Sequence, residues 1–472
     1  MDTQCSVPPL EFQALGQRRV VAAFDAPRIS SDGGALLLGE LDRKLGLSER
    51  FGQCFVDRRD QRYVEHTVLA LVRQRLLGLA LGYEDLNDHD ELSKDPLLAV
   101  CAGSPDPHGQ TRKRARDKGR ALAGKSTLNR LELCPEKDAE APRYHKPTVE
   151  ANKVEDLFVA AFLTAHAQAP EEVVLDFDAT DDPVHGHPEG RFFHGYYDGY
   201  CYLPLYVFCG DHLRVAKLRT ADRDAADGAV EELQRLVARL RQAWPEVRIV
   251  VRADSGFARE ALMAACEAHA EVYYVLGLAK NARLLKRAGK ELVQAQEAFA
   301  KTGEPARVFA QFSYRTRQSW SRERRVVAKA EWLAKGANPR FIVTNLPEDY
   351  AAPQALYEDV YCARGEMENR IKEPQLDLFA DRTSAATLNA NQLRLWFASL
   401  AYVLVSALRR VALAGTRLSK ATCGTIRLKL FKVGALVKVS VRRVAVSLSR
   451  ACPHRDVFEA AWARLQAYPR RT

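Results

Sequence analysis

Val173-Val-Leu-Asp-Phe-Asp178 is a short apolar run that ends in two acidic residues. An apolar run of this length is typical of a buried strand. A second run of the same kind, Ile249-Val-Val-Arg-Ala-Asp254, also ends in an aspartate. We therefore expect a sheet whose strand ends bring carboxylates together.

The elements around these two strands follow a defined order along the chain. Alternation of apolar and polar residues predicts further strands, and amphipathic spacing predicts the helices between them. The predicted elements are strands Tyr202–Cys209 and Leu213–Arg219, helix Gly228–Trp244, strand Val247–Ala253, helix Arg259–Ala268 and strand Val272–Leu278. With the first strand, the order is three strands, a helix, a strand, a helix and a strand. This is the order of a ribonuclease-H-like α/β fold. That fold places carboxylates at adjacent strand ends and on one later helix.

The segments outside this core have other patterns and divide the chain into four predicted parts. Residues 1–168 have apolar residues at helical spacing, which predicts a helical N-terminal module that holds DNA or a partner subunit. The catalytic core is predicted over residues 169–280 plus 341–410. Alternating segments predict a β-rich insertion over 281–340, and residues 411–472 form a basic C-terminal module.

Charge is distributed unevenly over the 472 residues, whose net charge is +10. No acidic residue occurs between Asp381 and Asp456, whereas fourteen lysines and arginines do. A second basic run, Arg112–Arg120, has six positive charges and one negative charge. A solvated face is the ordinary explanation of such a run, but two runs flanking a carboxylate centre favour contact with a polyanion.

The C-terminal basic tract is predicted to contain a hairpin with one cationic face. Its two strands would be residues 426–433 and 437–442, separated by Gly434. Within the two basic runs, the candidate DNA contacts are Arg112, Lys113, Arg114, Arg427, Lys429, Arg442 and Arg443.

Cysteine usage and apolar runs indicate the compartment. The ten cysteines include no CxxC pair, so we expect reduced thiols in a cytoplasm. Residues 1–9 lack the basic and apolar regions of an export signal. The longest apolar run, Leu395–Leu408, is too short for a bilayer and predicts a buried helix. We therefore expect no membrane association.

A third carboxylate, Glu368, lies in a helical stretch with Tyr361 and Arg364. These three residues stand at positions i, i+3 and i+7, and thus on one helical face, where tyrosine and arginine could hold a phosphate beside the glutamate. Two metal ions can activate the nucleophile and stabilise the leaving oxygen of a phosphodiester. Mg²⁺ prefers hard oxygen ligands, so Asp178, Asp254 and Glu368 are the candidate catalytic and metal-binding residues.

Alternatives remain open for each of these residues. Asp176 shares the strand face of Asp178 and is the alternative first ligand; Asp178 is favoured because it lies nearer the strand end. An aspartate at a strand end is more often a turn former than a ligand. Tyr361, Arg364 and Glu368 could instead belong to a surface ladder of ion pairs.

Three motifs of this chain together resemble those of the DDE transposases of bacterial insertion sequences. They are Asp178-Ala-Thr180, Asp254-Ser-Gly-Phe257 and Tyr361-x2-Arg364-x3-Glu368. The resemblance is to the branch with a Tyr-Arg-Glu-Lys signature and a β insertion before the glutamate. The resemblance extends more loosely over the chain through Phe193-His-Gly-Tyr-Tyr and Thr425-Ile-Arg-Leu-Lys-Leu.

The chain departs from the family pattern at one position. The lysine expected seven residues after the glutamate is Gln375 here, so that phosphate contact is absent or is supplied by Lys372.

The resemblance implies a function and a set of partners. It implies two Mg²⁺ ions, with Mn²⁺ as a substitute, and cut-and-paste movement of a DNA element. The implied partners are double-stranded DNA, as terminal inverted repeats and target, and a second copy of the chain in a homodimer on the element ends. The implied location is the bacterial cytoplasm, at the nucleoid. Trp320 is the insertion's candidate for stacking on a flipped base, although a buried core tryptophan is favoured.

Two other functions are compatible with the same residues. One is a ribonuclease-H-like nuclease or resolvase that cuts without joining, and the other is a non-catalytic DNA-binding regulator. A P-loop match at Gly119-x4-Gly124-Lys125-Ser126 is set aside, because charged residues and not an apolar strand precede it.

Overall fold

The computed structural model describes residues 10–25, 27–133 and 146–470. Residues 1–9, which carry the inference about an export signal, lie outside the described residues, as do Cys5 and Cys134. The eight described cysteines are all free thiols. In the described part of the chain, no helix combines the length and apolar character needed to cross a membrane.

The N-terminal part consists mainly of short helices, preceded by a hairpin. Its strands are β1 Leu10–Leu15, β2 Arg18–Ala22, β3 Ile29–Ser30, β4 Phe55–Val56 and β5 Thr148–Val149, and its helices are α1 Ala35–Leu45, α2 Leu47–Gly52, α3 Val68–Leu81, α4 His89–Leu92, α5 Pro96–Cys101, α6 Lys125–Glu132 and α7 Ala151–Leu163. Helix α3 begins where the Thr67 side chain accepts a hydrogen bond from Ala70 N, and it ends at Gly82 with φ of 96°. Much of this part is therefore helical, as its apolar spacing predicts, whereas the hairpin β1–β2 was not predicted.

The central part contains the predicted strand and helix order. Its elements are β6 Glu172–Ala179, β7 Asp182–Pro183, β8 Phe192–His194, β9 Gly199–Tyr202, β10 Leu205–Cys209, β11 His212–Lys217, α8 Ala229–Ala243, β12 Arg248–Ala253, α9 Glu260–Glu267 and β13 Val272–Leu278. Helix α8 buries one apolar face on the sheet, through Leu233, Leu236 and Leu240.

Residues 281–340 begin with two helices and continue as strands. These elements are α10 Ala282–Arg287, α11 Gly289–Thr302, β14 Ala306–Tyr314, β15 Arg324–Leu333 and β16 Gly336–Ala337, followed by β17 Arg340–Thr344. The strand pattern was predicted, but the two helices were not. The strands do not form a layer of their own, because β15 pairs with β17 and so joins the central sheet.

The C-terminal part is helical and ends with a hairpin and a helix. Its elements are α12 Pro353–Ala355, α13 Gly365–Lys372, α14 Leu388–Val411, α15 Cys423–Ile426, β18 Ala435–Val439, β19 Val444–Leu448 and α16 Arg455–Ala467. Wider helical turns at 356–361, 373–377 and 427–431 continue α12, α13 and α15. Residues 426–433 are therefore mainly helical, and the strand predicted there is wrong. The apolar residues of that segment recur at helical spacing, and β18 pairs instead with β19 and β3.

One mixed sheet organises the molecule. Its strands lie in the order β11-β10-β6-β12-β13-β17-β15-β14, with β16 added to β15. Strand β6 is antiparallel to β10 and parallel to β12, which is parallel to β13. The first five long strands in sequence thus lie in the order 3-2-1-4-5, an α/β arrangement consistent with a ribonuclease-H-like core. Helices α8 and α9 cover one face, while α14 and the N-terminal helices share a second apolar core.

Candidate active site

The two aspartates lie side by side at one edge of the central sheet. In the parallel pairing of β6 and β12, Arg252 lies opposite Asp176 and Ala253 lies opposite Phe177. Continuing this register by one residue places Asp254 beside Asp178. The carboxyl ends of parallel strands meet at one edge, which is why residues 76 positions apart become neighbours.

Each aspartate uses one oxygen to order its own backbone. Asp178 Oδ1 accepts a hydrogen bond from Ala179 N at 3.0 Å. Asp254 Oδ1 accepts one from Gly256 N at 2.9 Å and so caps the tight turn Ser255–Phe257. These local bonds fix both side chains at the sheet edge, and in each carboxylate they engage only Oδ1.

The third carboxylate comes from the helical stretch that begins at α12 and passes through α13. Arg364 is held between two acidic groups, with its Nη1 3.8 Å from Asp178 Oδ2 and its Nη2 3.4 Å from Glu368 Oε1. Arg364 is mostly buried, whereas the Glu368 side chain is 52% exposed. The arginine therefore bridges the strand carboxylate and the helix carboxylate.

All three carboxylates line one open cavity of about 630 Å³. Arg364, Lys372 and Gln375 also line it, so the two cations and the glutamine that replaces the expected lysine face the same space. The cavity's remaining lining residues are Ala179, Thr180, His194, Tyr196, Tyr197, Leu203, Ala225, Ser255, Gly256 and Ile371.

Burial and like charge shift the acid–base equilibria of the site. Burial, opposed by Arg364 and reinforced by Asp254 and Glu368, raises the pKa of Asp178 to about 7. Although burial acts to lower it, the pKa of Arg364 is raised, because Asp178 and its other acidic neighbours stabilise the guanidinium. Burial raises the pKa of Tyr361. A carboxyl group that resists ionisation beside other carboxylates is one that a divalent cation would stabilise as the anion.

The donor set fits a divalent metal at the two strand aspartates. Among the described residues, however, no three acidic, histidine or cysteine side chains are grouped closely enough to hold one ion. The Glu368 carboxylate is engaged with Arg364. It would have to turn from that arginine toward the aspartates to become a ligand.

A family model described as Transposase DDE domain group 1 matches residues 12–470. The chain belongs to the DDE transposases. This match confirms the family that the motifs indicated. No curated protein matches the chain.

A solved structure of another transposase resembles this DDE transposase at low similarity. The cryo-EM structure of the piggyBac transposase synaptic complex with hairpin DNA has 11% sequence identity and a TM-score of 0.42 to this chain. The likeness covers 92% of this chain and 81% of that one.

In this transposase, the contacts of Asp176 indicate a structural role. Asp176 is buried, and its two oxygens accept hydrogen bonds from Arg252 Nε at 2.5 Å and Nη2 at 2.8 Å. Arg252 Nη1 also donates to the carbonyl oxygen of Val360. Asp176 therefore ties the sheet to the helical stretch that carries Glu368, which favours Asp178 as the first carboxylate of the site.

Trp320 is not available to stack on a base. It is 3% exposed and packs edge-on against Tyr314, with Arg324 over its ring. Arg324 is fixed in turn by Glu260 and Glu267. The assignment of Trp320 to DNA binding is corrected here, and the alternative of a core tryptophan is confirmed.

Two of the basic residues proposed to contact DNA are engaged within the protein. Arg112 is mostly buried and pairs with Glu65 and His66. Arg427 donates to the carbonyl oxygens of Ala80 and Asp377 and lies over the Phe379 ring. These contacts favour structural roles for both. The remaining candidates of the two basic runs are exposed and make no ion pair within the described chain: Lys113, Arg114, Lys429, Arg442 and Arg443.

Two features of the site were not predicted from the sequence. The first is Gly277 in β13, which lies close to Tyr361 and Ser255. A Cβ atom at this position would be 2.5 Å from Tyr361 Oη and 2.9 Å from Ser255 N. The glycine inside an apolar strand was the available signal, because such a residue often marks close approach of another group. The second feature is the pair Tyr196 and Tyr197, which line the cavity from a separate hairpin.

Proposed function

We propose that this chain is a DNA transposase that cuts phosphodiester bonds at the ends of a mobile element and joins the freed ends to target DNA. The observation that carries the proposal is the convergence of Asp178, Asp254 and Glu368 on one cavity with Arg364 and Lys372. Membership in the DDE transposases supports the same chemistry. Two Mg²⁺ ions, or Mn²⁺, would supply an activated oxygen nucleophile and stabilise the leaving oxygen.

The residues of the cavity have separate roles in this proposal. Asp178 and Asp254 would hold the cations at the sheet edge, each fixed through its own backbone bond. Glu368 would be the third ligand, once turned away from Arg364. The released guanidinium then binds the scissile phosphate, for which its planar fork of donors is suited. Lys372, exposed at the cavity, contacts a neighbouring phosphate in place of the lysine that Gln375 replaces.

The rest of the chain positions the substrate. We propose that the N-terminal helices and the basic C-terminal segment hold duplex DNA, and that two copies of the chain assemble on two element ends. The exposed cations Lys429, Arg442 and Arg443 support the C-terminal contact, since each could neutralise one phosphate.

A plasmid excision assay tests the proposal with the native DNA of the gene. The full chain is expressed beside a donor plasmid that carries the gene's own flanking DNA on both sides. We expect excision and reinsertion with the wild-type chain. Glu368→Gln should lower both by at least about 100-fold, the scale of losing one group that stabilises a transition state.

The matched control is Glu366→Gln, on the same helix but not in the cavity, which should keep wild-type activity. Cleaved donor without joined product would identify a nuclease that cuts without strand transfer. Unchanged activity of Glu368→Gln would identify a non-catalytic role and contradict the proposal.

A further inference from the structure

A buried aspartate outside the cavity of the candidate active site has no partner for its charge. Asp182, in β7, is 1% exposed. Both of its carboxylate oxygens are buried, and neither has a hydrogen-bond partner within the described chain. A buried carboxylate without a partner is costly, because the protein interior does not replace its lost hydration. Such a group is therefore either protonated or bound to a cation.

Two further oxygen-bearing side chains lie close to Asp182, and both belong to the segment before α14. Asp381 is half-buried, whereas Thr383 is 4% exposed, and Thr383 Oγ1 has no hydrogen bond of good geometry in the described part of the chain. Burial raises the pKa of Asp182 well above its usual range, Asp381 reinforces the shift, and Thr383 opposes it. We call Asp182, Asp381 and Thr383 the Asp182 cluster.

A tyrosine of the central sheet is close to both carboxylates of the cluster. Tyr206, in β10, is 1% exposed. Burial raises its pKa, and Asp182 and Asp381 both reinforce the shift. The two carboxylates therefore act on one buried group, which places them on the same side of β10.

The cations nearest in sequence are directed away from the Asp182 cluster. Arg382, which adjoins Asp381, pairs instead with Glu84 and Asp85. The charged groups that act on the pKa of Asp182 are Asp381 and Asp181, and both are acidic. Within the described residues, the cluster thus combines two carboxylates and a hydroxyl group without a counter-charge.

This donor set consists of hard oxygen atoms, which are the ligands of Ca²⁺ and Mg²⁺ in proteins. Ca²⁺ accepts carboxylates through one or both oxygens and tolerates flexible geometry, whereas Mg²⁺ demands near-octahedral geometry and usually keeps several water ligands. Asp182 and Thr383 are almost completely buried, so little space remains for ligand waters. The cluster is therefore better suited to Ca²⁺.

We propose that the Asp182 cluster binds one Ca²⁺ ion, separate from the cations of the candidate active site. The two carboxylates compensate the charge of the ion, and Thr383 Oγ1 adds a neutral ligand. The cluster contains only two acidic side chains, which is compatible with the absence of larger metal-binding groups from the described residues. The inference goes beyond the proposed function and does not depend on it.

The ion would join two segments that lead away from the candidate active site. Asp182 follows the end of β6, the strand that carries Asp178. Asp381 and Thr383 follow the helical stretch that carries Glu368. Gln375 of that stretch already donates a hydrogen bond to the Asp181 carbonyl oxygen at 3.2 Å. The ion would add a second connection and so fix the strand end relative to the helical stretch.

Calorimetric titration of the full chain with Ca²⁺ alone, and separately with Mg²⁺ alone, tests the proposal. The chain carries Asp178→Asn as a background, which weakens binding of metal at the candidate active site. We expect this chain to bind one Ca²⁺ more tightly than Mg²⁺ and to melt at a higher temperature with Ca²⁺. Adding Asp182→Asn should weaken Ca²⁺ binding by at least about 100-fold, since even an outer partner of a metal ligand contributes roughly 10- to 100-fold.

Two further variants separate the loss of a ligand from general effects. Thr383→Val keeps the side-chain volume but removes the hydroxyl group, so it should weaken Ca²⁺ binding by less than Asp182→Asn does. Asp222→Asn removes an exposed aspartate that lies outside the cavity, and it should bind Ca²⁺ as the background chain does. Melting temperatures in metal-free buffer check that each variant is folded. Asp182→Asn should melt no lower than the background there, because it removes an unpaired buried charge.

Four results would overturn the proposal. The first three are no Ca²⁺ binding by the Asp178→Asn chain, tighter binding of Mg²⁺ than of Ca²⁺, and Ca²⁺ binding that survives in Asp182→Asn. The fourth is a lower melting temperature of Asp182→Asn in metal-free buffer, which would show that Asp182 stabilises the fold as a protonated acid. These measurements use neither DNA nor cleavage, so failure of the Ca²⁺ site and failure of the proposed function are distinguishable.

Discussion

Asp176 and Asp178 lie two residues apart on one strand face, yet their neighbours give them different roles. Asp176 is paired through both oxygens with Arg252, whereas Asp178 lies in the cavity with Arg364 at 3.8 Å as its nearest cation. A buried ion pair that loses one partner leaves an uncompensated charge. The same chemical group therefore belongs to a buried ion pair at position 176 and lines the cavity at position 178.

Asparagine substitutions should separate these two roles. Asp176→Asn removes the charge that compensates buried Arg252, so we expect the free energy of unfolding to fall by about 3–5 kcal/mol. Asp178→Asn should abolish excision without such a loss. Denaturant unfolding and the excision assay measure the two effects. Equal stability losses in both variants would contradict the assignment of Asp178 to the site.

The raised pKa of Asp178 predicts a pH dependence of stability in the absence of metal. Its pKa is about 7 in the folded chain and 3.8 in the ordinary carboxyl group. As pH rises from about 4 to 7, the unfolded chain releases this proton before the folded chain does, so stability falls. Asp178→Asn should lack this fall and melt at a higher temperature than wild type above pH 7.

Mg²⁺ should act on the same group. Because the ion must displace the proton of Asp178, its stabilisation of the wild-type chain should weaken as pH falls below 7. Melting temperatures with and without Mg²⁺ across this range measure the effect. Identical pH profiles for wild type and Asp178→Asn would show that another group controls the response.

At the level of elements, β13 and the helical stretch around α13 meet at Gly277. There is no room for a side chain between β13 and Tyr361, so Gly277→Ala should displace the tyrosine or the turn after Asp254. Overpacking of this kind costs about 1–3 kcal/mol. We expect excision to be lost with only this moderate destabilisation.

Gly289→Ala is the matched control for Gly277→Ala. A Cβ atom at Gly289, the first residue of α11, would meet nothing within 4 Å, so the substitution should leave activity and stability unchanged. Full activity of Gly277→Ala would contradict a role for this contact in positioning Tyr361.

The hairpin β18–β19 presents cations that have no acidic partner in the described chain. Arg442 and Arg443 are exposed at its turn. Changing both to glutamine should lower duplex affinity and reduce the slope of log K against log salt by roughly 2, since each phosphate contact contributes about 0.9. Arg417, paired with Asp456 at 2.8 Å, is the control position, because its charge is already compensated. Equal effects at Arg417 would contradict the assignment.

The sequence was sufficient for the elements whose pattern is local. The strands ending at Asp178 and Asp254 and helix α8 follow from apolar periodicity, and they lie within two residues of their predicted ends. The strand predicted for residues 426–433 is wrong, because alternation over so few residues does not distinguish a strand from one face of a short helix. Pairing partners decide such cases, and they are remote in sequence.

Side-chain partners were the part of the site that could not be predicted. Asp176 and Asp178 have the same local pattern, and only the register of β6 and β12 shows which one meets Arg252. Trp320 lies between arginines in sequence, as a DNA contact would, but the fold turns it into the core. Arg427 belongs to a basic tract and yet binds backbone carbonyl groups.

At the scale of the whole molecule, the N-terminal and C-terminal segments share one apolar core. Helix α3 packs against α14, and Lys432 pairs with Asp32 at 2.7 Å. The predicted division at residues 168 and 411 stays a prediction, but side chains on both sides of it pack together. We therefore expect the two segments to unfold together.

A substitution at Glu132 tests whether the N-terminal and C-terminal segments unfold together. Glu132 is 1% exposed in α6, and its oxygens accept hydrogen bonds from Arg75 of α3 at 2.7 Å and from Arg394 of α14 at 2.8 Å. Glu132→Gln leaves two arginines without their shared counter-charge, so it should destabilise the chain by about 3–5 kcal/mol. If the two segments share one core, the loss should appear as a single unfolding transition at lower denaturant concentration.

Glu40→Gln, which removes the partner of exposed Arg43, is the matched control and should change stability by less than about 1 kcal/mol. Tryptophan fluorescence and circular dichroism follow different parts of the chain, and coincident curves would indicate one cooperative unit. Two separated transitions in Glu132→Gln would instead show that the N-terminal helices unfold on their own. In that case the shared core would position the two basic runs, but their stability would not depend on that of the central sheet.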